Sequence, residues 1–90
     1  MSSTYKMPQV REGDEGCAVA ILQGIMAWRV NGRTGMPFYV GAIDGEFGQL
    51  TCNAVRDYQD TMRRMGFDFA VDGICGDQTW DSVLGMLPKA

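Results

Sequence analysis

A pattern of twelve residues occurs twice in this chain, and it constrains the fold more than any other feature. DGEFGQLTCNAV (residues 44–55) and DGICGDQTWDSV (residues 72–83) share Asp, Gly, Gly, Thr and Val at the same spacing. Asp-Gly favours a tight turn, because Asp can hydrogen-bond to the backbone ahead of it and Gly adopts positive φ without steric cost. Each copy therefore predicts a tight loop that leads directly into a helix.

The residues after each Asp-Gly pair are typical of a helix start. Gly48 and Gly76 are acceptable N-caps, and Asp77 then lies in the first turn of its helix, where the dipole favours a carboxylate. We expect the hydroxyls of Thr51 and Thr79 to bond free backbone groups of the helix start or of the incoming loop.

Apolar residues at helical spacing predict three helices. The first runs from about Cys17 to Val30, the second from just after Gly48 to Gly66, and the third to Pro88, which cannot extend a helix. The predicted apolar faces are Ala18, Ile21, Leu22, Ile25 and Trp28; Thr51, Ala54, Val55, Tyr58, Met62 and Met65; and Trp80, Val83, Leu84 and Leu87. Three such faces can cover only one another, so the sequence predicts an all-α fold, a small three-helix bundle with a long first connection over residues 31–48. Within that connection, PFYVGA is expected to run extended.

The chain is short enough to form one domain, residues 11–90, preceded by an N-terminal strap over residues 1–10. No apolar run approaches the ~20 residues of a membrane helix, and the first residues lack the apolar core of a secretory signal. We therefore expect no membrane partner and synthesis in the cytosol, with export by another route or as a module of a larger exported protein.

Composition argues against several classes of function. The net charge is −3 and the eight basic residues are scattered, which disfavours binding to nucleic acid. The chain contains no histidine, so it cannot build a Ser-His or Cys-His pair alone. Cys17, Cys52 and Cys75 lack the CxxC spacing of a zinc site and are interpreted as reduced cysteines that act as small hydrophobes. No cofactor and no metal is predicted.

Two interpretations of the acidic residues are weaker than the turn interpretation. Asp72, Asp77 and Asp81 do not follow the alternation of ligands that a helix–loop–helix calcium site requires. Asp44 and Glu46 could form a carboxylate pair for glycoside hydrolysis, but the turn already explains Asp44. We therefore expect no catalytic residue in this chain.

Five segments in order resemble a known family. They are Gly13-Asp14-Glu15-Gly16; Val19 with Leu22-Gln23; residues 44–55; Tyr58-Gln59; and residues 72–80. From about residue 10 to residue 87, this set is similar to the three-helix peptidoglycan-binding domain of bacterial and phage cell-wall enzymes. The chain departs from the family in its longer connection from Val30 to Asp44 and in Cys75, where a larger apolar residue is usual.

The resemblance implies a shallow groove, formed by the two Asp-Gly loops and the neighbouring helix ends, that holds the sugar–peptide polymer of the wall. The candidate ligand-binding residues are the aromatic Tyr39, Phe47 and Trp80 and the polar Asp44, Thr51, Asp72 and Thr79. A structural role stays open for each of them: the aromatic residues as core, the Asp and Thr residues as parts of the loops.

The function implied by the resemblance is non-catalytic binding of peptidoglycan, through its glycan strand, its stem peptide or both. Such a module would target a covalently linked lytic domain, of a phage endolysin or a wall hydrolase, to the bacterial cell wall. The alternative is a protein–protein interaction module on the same scaffold. The loop over residues 31–43 favours this alternative, because Phe38 and Tyr39 are expected to be exposed on it.

Overall fold

The computed structural model describes residues 7–84 of the chain. Its elements, in order, are α1 (Cys17–Trp28), β1 (Val30–Asn31), β2 (Met36–Pro37), α2 (Gln49–Arg64) and α3 (Asp77–Val83). Residues 1–6 of the predicted strap, and Leu87 and Pro88 of the predicted third helix, lie outside the described residues.

Three helices are present as predicted, but the all-α prediction is wrong. The first connection contains an antiparallel hairpin in which Val30 pairs with Pro37 and Asn31 with Met36. The turn is closed by the Asn31 carbonyl, which accepts hydrogen bonds from the N–H groups of Gly35 at 2.8 Å and Thr34 at 3.2 Å. Gly35 has a φ of 74°, which favours glycine at this position. Within residues 7–84 the fold is therefore mostly helical, with one small two-stranded sheet, and Pro37 is the one residue of the predicted extended segment that lies in a strand.

The buried face of α2 follows the predicted spacing over most of its length. Thr51, Ala54, Val55 and Tyr58 are buried. The stripe fades near the end of the helix, where Met65 is 65% exposed. The helix ends at Arg64, shortly before Gly66 as predicted, and Gly66 has a φ of 101°.

The predicted face of α1 is correct at Leu22, which is buried, and at Ala18 and Ile25, which pack against the core, but it is wrong at two positions. Ile21 and Trp28 were expected in the core, yet they are 45% and 86% exposed. The buried residues of this helix are Val19, Leu22, Gln23 and Met26. Apolar residues occur on nearly every side of α1, so their spacing alone does not select the side that is buried.

One core joins the three helices to both loops. Its buried apolar residues are Val10, Val19, Leu22, Met26, Tyr39, Phe47, Cys52, Ala54, Val55, Tyr58, Cys75, Trp80 and Val83. The segment before α1 is attached to the second Asp-Gly loop: Val10 and Cys75 exchange backbone hydrogen bonds of 3.1 and 2.9 Å. Within residues 7–84, no helix has the length and apolarity needed to cross a bilayer.

Candidate functional site at the two Asp-Gly loops

The first Asp-Gly loop is held by the amide of Gln23, a fully buried side chain of α1. Its Oε1 accepts a hydrogen bond from the Gly45 N–H at 2.9 Å, which fixes the orientation of the amide. Its Nε2 lies 3.1 Å from Asp44 Oδ1, 2.9 Å from the Glu46 carbonyl and 3.0 Å from Thr51 Oγ1. One side chain thus joins α1, the loop and the first turn of α2.

Gln59 of α2 holds the second loop through the same set of groups. Its Oε1 accepts from the N–H groups of Asp72 at 3.1 Å and Gly73 at 3.0 Å. Its Nε2 donates toward Asp72 Oδ1, the Ile74 carbonyl and Thr79 Oγ1 at 3.2, 2.9 and 3.1 Å. The glutamine precedes its aspartate by 21 residues in the first case and by 13 in the second, so the loops match although the connections differ in length.

Each loop also requires its glycine. Gly45 and Gly73 both have a φ of 76°. A Cβ at Gly45 would lie 3.2 Å from the Gly16 carbonyl oxygen, and one at Gly73 would lie 3.0 Å from Cys52 Sγ. Both the backbone conformation and the close approach of a helix therefore exclude a side chain at these two positions.

The carboxylates of Asp44 and Asp72 are exposed at the loops. Oδ1 of each accepts a backbone N–H two residues ahead, that of Glu46 at 3.0 Å and that of Ile74 at 2.9 Å. The Glu46 N–H and, second, the Gln23 amide lower the pKa of Asp44 below 3.8, because both stabilise the ionised form. Oδ2 of each carboxylate makes no hydrogen bond to residues 7–84, so each carboxylate offers an acceptor oxygen to a ligand.

The two threonines act differently from the prediction. Thr51 and Thr79 are buried, and their hydroxyls accept hydrogen bonds from the glutamine amides instead of bonding free backbone groups. The predicted N-caps are confirmed: Gly48 precedes α2 and Gly76 precedes α3.

The predicted exposure of Tyr39 and Phe38 is wrong. Tyr39 is 4% exposed, and its hydroxyl donates to the Ala42 carbonyl and accepts from Gln23. Phe38 is half-buried and packs edge-on against Tyr58, with ring centroids 5.1 Å apart. Both rings turn inward because the hairpin folds back onto the helices.

The other two aromatic candidates also lie inside the fold. Phe47 and Trp80 are each 2% exposed. The Trp80 indole N–H donates to the Pro8 carbonyl at 2.8 Å, so this ring holds the segment before α1. Their roles in ligand binding stay predictions; burial places both rings beneath the loops.

A recess of about 610 Å³ lies beside the first loop. It is lined by Glu15, Gly16, Cys17, Ala20, Asp44, Gly45 and Glu46, and we call it the Asp44 recess. The Gly16 N–H donates to the Gly45 carbonyl at 2.8 Å, which joins the start of α1 to the loop. The polar groups at its edge include the carboxylates of Glu15, Asp44 and Glu46.

On its helix side the second loop meets a longer side chain than the first loop does. Ala20 precedes Gln23 by three residues, and Arg56 precedes Gln59 by three. A Cβ at Gly73 would lie 3.1 Å from Arg56 Nε, whereas the one at Gly45 would lie 3.9 Å from the Ala20 Cβ. The arginine thus covers the second loop where the alanine leaves the first one open.

The cysteines differ in environment. Cys75 is fully buried, and burial raises the pKa of its thiol to about 12, so it stays protonated at neutral pH. Cys17 is exposed beside the Asp44 recess. Among residues 7–84 no group of three or more cysteine, aspartate or glutamate side chains is placed to hold a metal ion.

A family model described as "Putative peptidoglycan binding domain" matches residues 34–83, more than half of the chain. The chain belongs to this family. The resemblance stated from the sequence is thereby confirmed. Peptidoglycan binding is the function that this membership supports.

An amidase is similar to part of this member of the family. The chain is 48% identical over 46 residues to the N-acetylmuramoyl-L-alanine amidase CwlM of Mycobacterium tuberculosis, a match that covers 51% of the chain and 10% of the amidase. The chain thus spans about a tenth of that relative.

Solved structures share the fold of this peptidoglycan-binding domain. The SleB N-terminal domain is 28% identical, with a TM-score of 0.72 over 92% of this chain and 97% of that one. The Burkholderia AP3 phage endolysin is 27% identical, with a TM-score of 0.68 over 91% of this chain and 27% of the endolysin. A peptidoglycan-binding protein from Clostridioides difficile, in complex with glutamine hydroxamate, is 30% identical, with a TM-score of 0.67 over 86% of this chain and 40% of that one.

Sequence reasoning missed the residues that hold the loops of this domain. Gln23 and Gln59 entered only as members of the family pattern, and neither was assigned a role. The available signal was a glutamine within each helix that precedes an Asp-Gly pair, on a face that otherwise carries apolar residues. A buried amide needs partners for all its polar groups, and the loop N–H groups, carbonyls and threonine hydroxyls supply them.

Proposed function

We propose that this chain is a non-catalytic module that binds bacterial peptidoglycan and holds a covalently linked lytic domain at its substrate. Membership in the peptidoglycan-binding family carries this proposal. The chain corresponds to 27% of a phage endolysin and 10% of an amidase, which supports a role as one module of a longer wall hydrolase. Tethering of this kind raises the concentration of substrate around the linked domain.

The Asp44 recess is the proposed contact with the wall polymer. Amide N–H groups of the stem peptide and hydroxyls of the glycan are donors, and the free Oδ2 of an ionised carboxylate is a strong acceptor for either. Asp72 offers the same acceptor on the second loop, but Arg56 lies against that loop. We therefore assign the main contact to Asp44 and a secondary one to Asp72.

The other five candidate residues support this site from within. The buried residues are Tyr39, Phe47, Thr51, Thr79 and Trp80. Thr51 and Tyr39 reach the first loop through Gln23, and Thr79 reaches the second through Gln59. In this proposal they keep the loop carboxylates in place and do not contact the polymer.

Sedimentation with purified, protein-free sacculi tests the proposal. We expect the chain to pellet with the sacculi at low and moderate salt. A shallow recess buries little area, so binding should be weak and should be followed across a range of sacculus concentrations. A chain that stays in the supernatant throughout contradicts the proposed function.

Asp44→Asn tests the site itself. Asparagine keeps an Oδ1 acceptor for the Glu46 and Gln23 donors but replaces the ionised Oδ2 with an amide. Loss of one charge-assisted hydrogen bond is expected to weaken binding about tenfold, and Asp72→Asn should weaken it less. Asp81→Asn, at an exposed position of α3, is the matched control and should bind as the unaltered chain does. Equal binding by all three variants would show that the wall polymer does not bind at the Asp-Gly loops.

A protein-interaction role on the same scaffold is the second candidate. Phe38 and Tyr39 do not offer an exposed surface for a protein partner, because Phe38 is half-buried and Tyr39 is buried. Three other apolar side chains around the end of the first connection are exposed instead, Val40 at 68%, Ile43 at 58% and Leu50 at 56%. If Val40→Ser with Leu50→Ser abolishes sedimentation with protein-free sacculi, that surface contacts the wall and not a protein. The isolated chain is expected to cause no loss of turbidity in wall suspensions.

A further inference from the structure

An apolar groove of about 1000 Å³ lies away from the Asp44 recess, between α1, α2 and the end of α3. Ile21, Trp28 and Val30 line one side of it, Met65 lines the other, and Leu84 lies at its end. All five residues are more than two-fifths exposed, and Trp28 is 86% exposed. A continuous apolar surface of this size on a small domain is typical of an interaction site.

One stripe of α1 lines this groove. Ile21, Gly24, Ile25 and Trp28 follow one another at i, i+3, i+4 and i+7, the spacing of a helix face that packs against another surface. Residues 7–84 nevertheless leave Ile21 and Trp28 exposed. The spacing and the exposure together indicate that this face of α1 contacts a second molecule.

Gly24 lies in the interior of α1, where glycine weakens a helix relative to alanine. Its φ is not positive, and a Cβ there would meet no atom of residues 7–84 within 4 Å beyond its own stretch of helix. Neither the backbone nor the neighbouring atoms therefore require glycine at this position. The missing side chain instead leaves space in the groove, between Ile21 and Trp28, for part of another molecule.

We propose that two copies of this chain associate through the groove, with their α1 helices antiparallel and crossing at Gly24 and Ile25. A two-fold axis at the crossing places residues that lie equally far on either side of it opposite each other. Trp28 of each copy then packs against Ile21 of the other copy. The absence of a side chain at Gly24 lets the two helices approach closely.

The exposed area of the groove is close to what a dimer needs. Its five exposed apolar residues present roughly 600 Å² of surface, at the upper end of the range for patches on single domains. A standard interface buries about 800 Å² of each partner, and in homodimers about two-thirds of that area is apolar. Each copy must thus supply about 500 Å² of apolar surface, which the groove does.

The charges at the α2 edge of the groove favour a second copy over a charged partner. Asp60 precedes Thr61, which lines the groove, and accepts hydrogen bonds from Arg63 and Arg64. Arg33 lies 3.8 Å from the same carboxylate. Because charges of both signs are paired within the chain, neither a basic nor an acidic partner gains from this edge. Burial of glycan hydroxyls against the apolar lining is unfavourable.

The Asp44 recess and the groove share no lining residue, so the recess lies outside the proposed contact. A dimer would hold two such recesses, and simultaneous contact of both with one polymer strengthens binding. This consequence rests on the proposed function, whereas the association itself does not.

Sedimentation velocity of the whole chain at increasing concentrations, up to about 1 mM, measures the association directly. The mass should rise from that of one chain to that of two. Trp28→Ser should raise the dissociation constant at least about tenfold, because buried tryptophans contribute strongly to interfaces. A chain that stays monomeric throughout, or a dimer that Trp28→Ser leaves unchanged, overturns the proposal.

Ile21→Ser and Ile43→Ser form a matched pair for the same measurement. The two isoleucines are 45% and 58% exposed, but Ile21 lines the groove and Ile43 does not. Ile21→Ser should weaken association about tenfold, and Ile43→Ser should leave it unchanged. Equal effects of the two substitutions overturn the proposal.

Gly24→Leu separates association from the stability of the single chain. Leucine favours a helix more than glycine does, so the midpoint of urea unfolding, measured at a concentration where the chain is monomeric, should not fall. The leucine side chain occupies the space in which the helices cross, so the dissociation constant should rise at least about tenfold. A variant that dimerises as tightly as the unaltered chain overturns the proposal.

Other occupants of the groove predict other results. Quenching of Trp28 emission by acrylamide reports whether this side chain is covered. Protection of Trp28 in a monomeric chain indicates a segment of the same chain, and protection that appears only with sacculi indicates the wall polymer; either result overturns the proposal. Failure to pellet with sacculi leaves the mass measurement unaffected, so failure of the proposed function and failure of this proposal are distinguishable.

Discussion

Two buried glutamines supply the polar interactions that hold the Asp-Gly loops. Gln23 and Gln59 each accept from a glycine N–H and donate toward a carboxylate, a carbonyl and a threonine hydroxyl. The stability of the fold should therefore depend strongly on each glutamine, because removal of one amide leaves several buried groups without partners.

Replacement of either glutamine by leucine, which conserves approximate volume, should reduce the free energy of unfolding by about 3 kcal/mol, since at least two buried polar groups lose their partner. Chemical denaturation of Gln23→Leu and Gln59→Leu measures this loss. Gln49→Leu is the control, because Gln49 is exposed and its Nε2 donates to Asn53 on the helix surface. Losses similar to that of the control would show that the amides do not hold the loops.

The loop glycines can be compared with a glycine in an open position. Gly35, Gly45 and Gly73 have φ values of 74°, 76° and 76°, but only the latter two are closely approached by other atoms. Gly35→Ala should cost about 1 kcal/mol from backbone strain alone. Gly45→Ala and Gly73→Ala should cost more, because Cβ meets the Gly16 carbonyl or Cys52 Sγ. Thermal unfolding ranks the three variants. Equal losses of stability would mean that the close contacts at Gly45 and Gly73 add nothing to the cost of backbone strain.

At the scale of elements, the segment before α1 depends on α3 through one indole. Trp80 Nε1 donates to the Pro8 carbonyl at 2.8 Å, next to the paired backbones of Val10 and Cys75. Trp80→Phe should speed hydrogen exchange of the Val10 and Cys75 amides by about fivefold, for the loss of one hydrogen bond worth ~1 kcal/mol. Trp28→Phe is the control, since Trp28 is exposed. Faster exchange spread evenly through α2 would instead indicate global destabilisation.

Hydrogen bonds between Asp60 and two arginines in the last turn of α2 should make the stability of the fold depend on pH in acid. Asp60 accepts hydrogen bonds from Arg64 Nε at 3.0 Å and Arg63 Nη2 at 3.1 Å, and Arg33 of the hairpin lies 3.8 Å away. Hydrogen bonds from Arg64 and then Arg63 lower the pKa of Asp60 below 3.8. The stabilisation is therefore complete above 3.8 and is lost as the pH falls through the pKa in the folded chain.

Asp60→Asn should accordingly flatten the fall in unfolding free energy below pH 3.8, and high salt should reduce the difference because the pair is exposed. Urea denaturation at a series of pH values measures it. Asp68→Asn, at an exposed position of the following loop, is the control. Identical acid slopes for Asp60→Asn and the unaltered chain would exclude a contribution from this pair.

Elements with one apolar face were predictable, and those with several were not. The spacing of Ala54, Val55 and Tyr58 placed α2 correctly, because the opposite side of that helix is polar. Helix α1 is apolar nearly all round, so spacing could not show that Trp28 is exposed. The hairpin depends on hydrogen bonds from Thr34 and Gly35 to the Asn31 carbonyl. A strand of two residues is too short to show an alternating pattern in the sequence, so the hairpin was not predictable.

At the scale of the whole molecule, family and fold were predictable, whereas the surface was not. The ordered motif set identified the peptidoglycan-binding family because loop and helix-start residues are fixed by backbone geometry. Which side chains face outward depends on how the helices pack. Five of the seven candidate ligand-binding residues are buried, and only Asp44 and Asp72 are exposed.

We propose that wall polymer binds at the Asp44 recess. Titration of the ¹⁵N-labelled chain with soluble peptidoglycan fragments, followed through its amide resonances, locates the binding surface. We expect the largest shifts at Gly16, Gly45 and Glu46, and we expect Asp44→Asn to abolish them. Shifts confined to the apolar surface around Trp28 and Met65, or no shifts at saturating fragment, would show that the polymer does not bind at this recess.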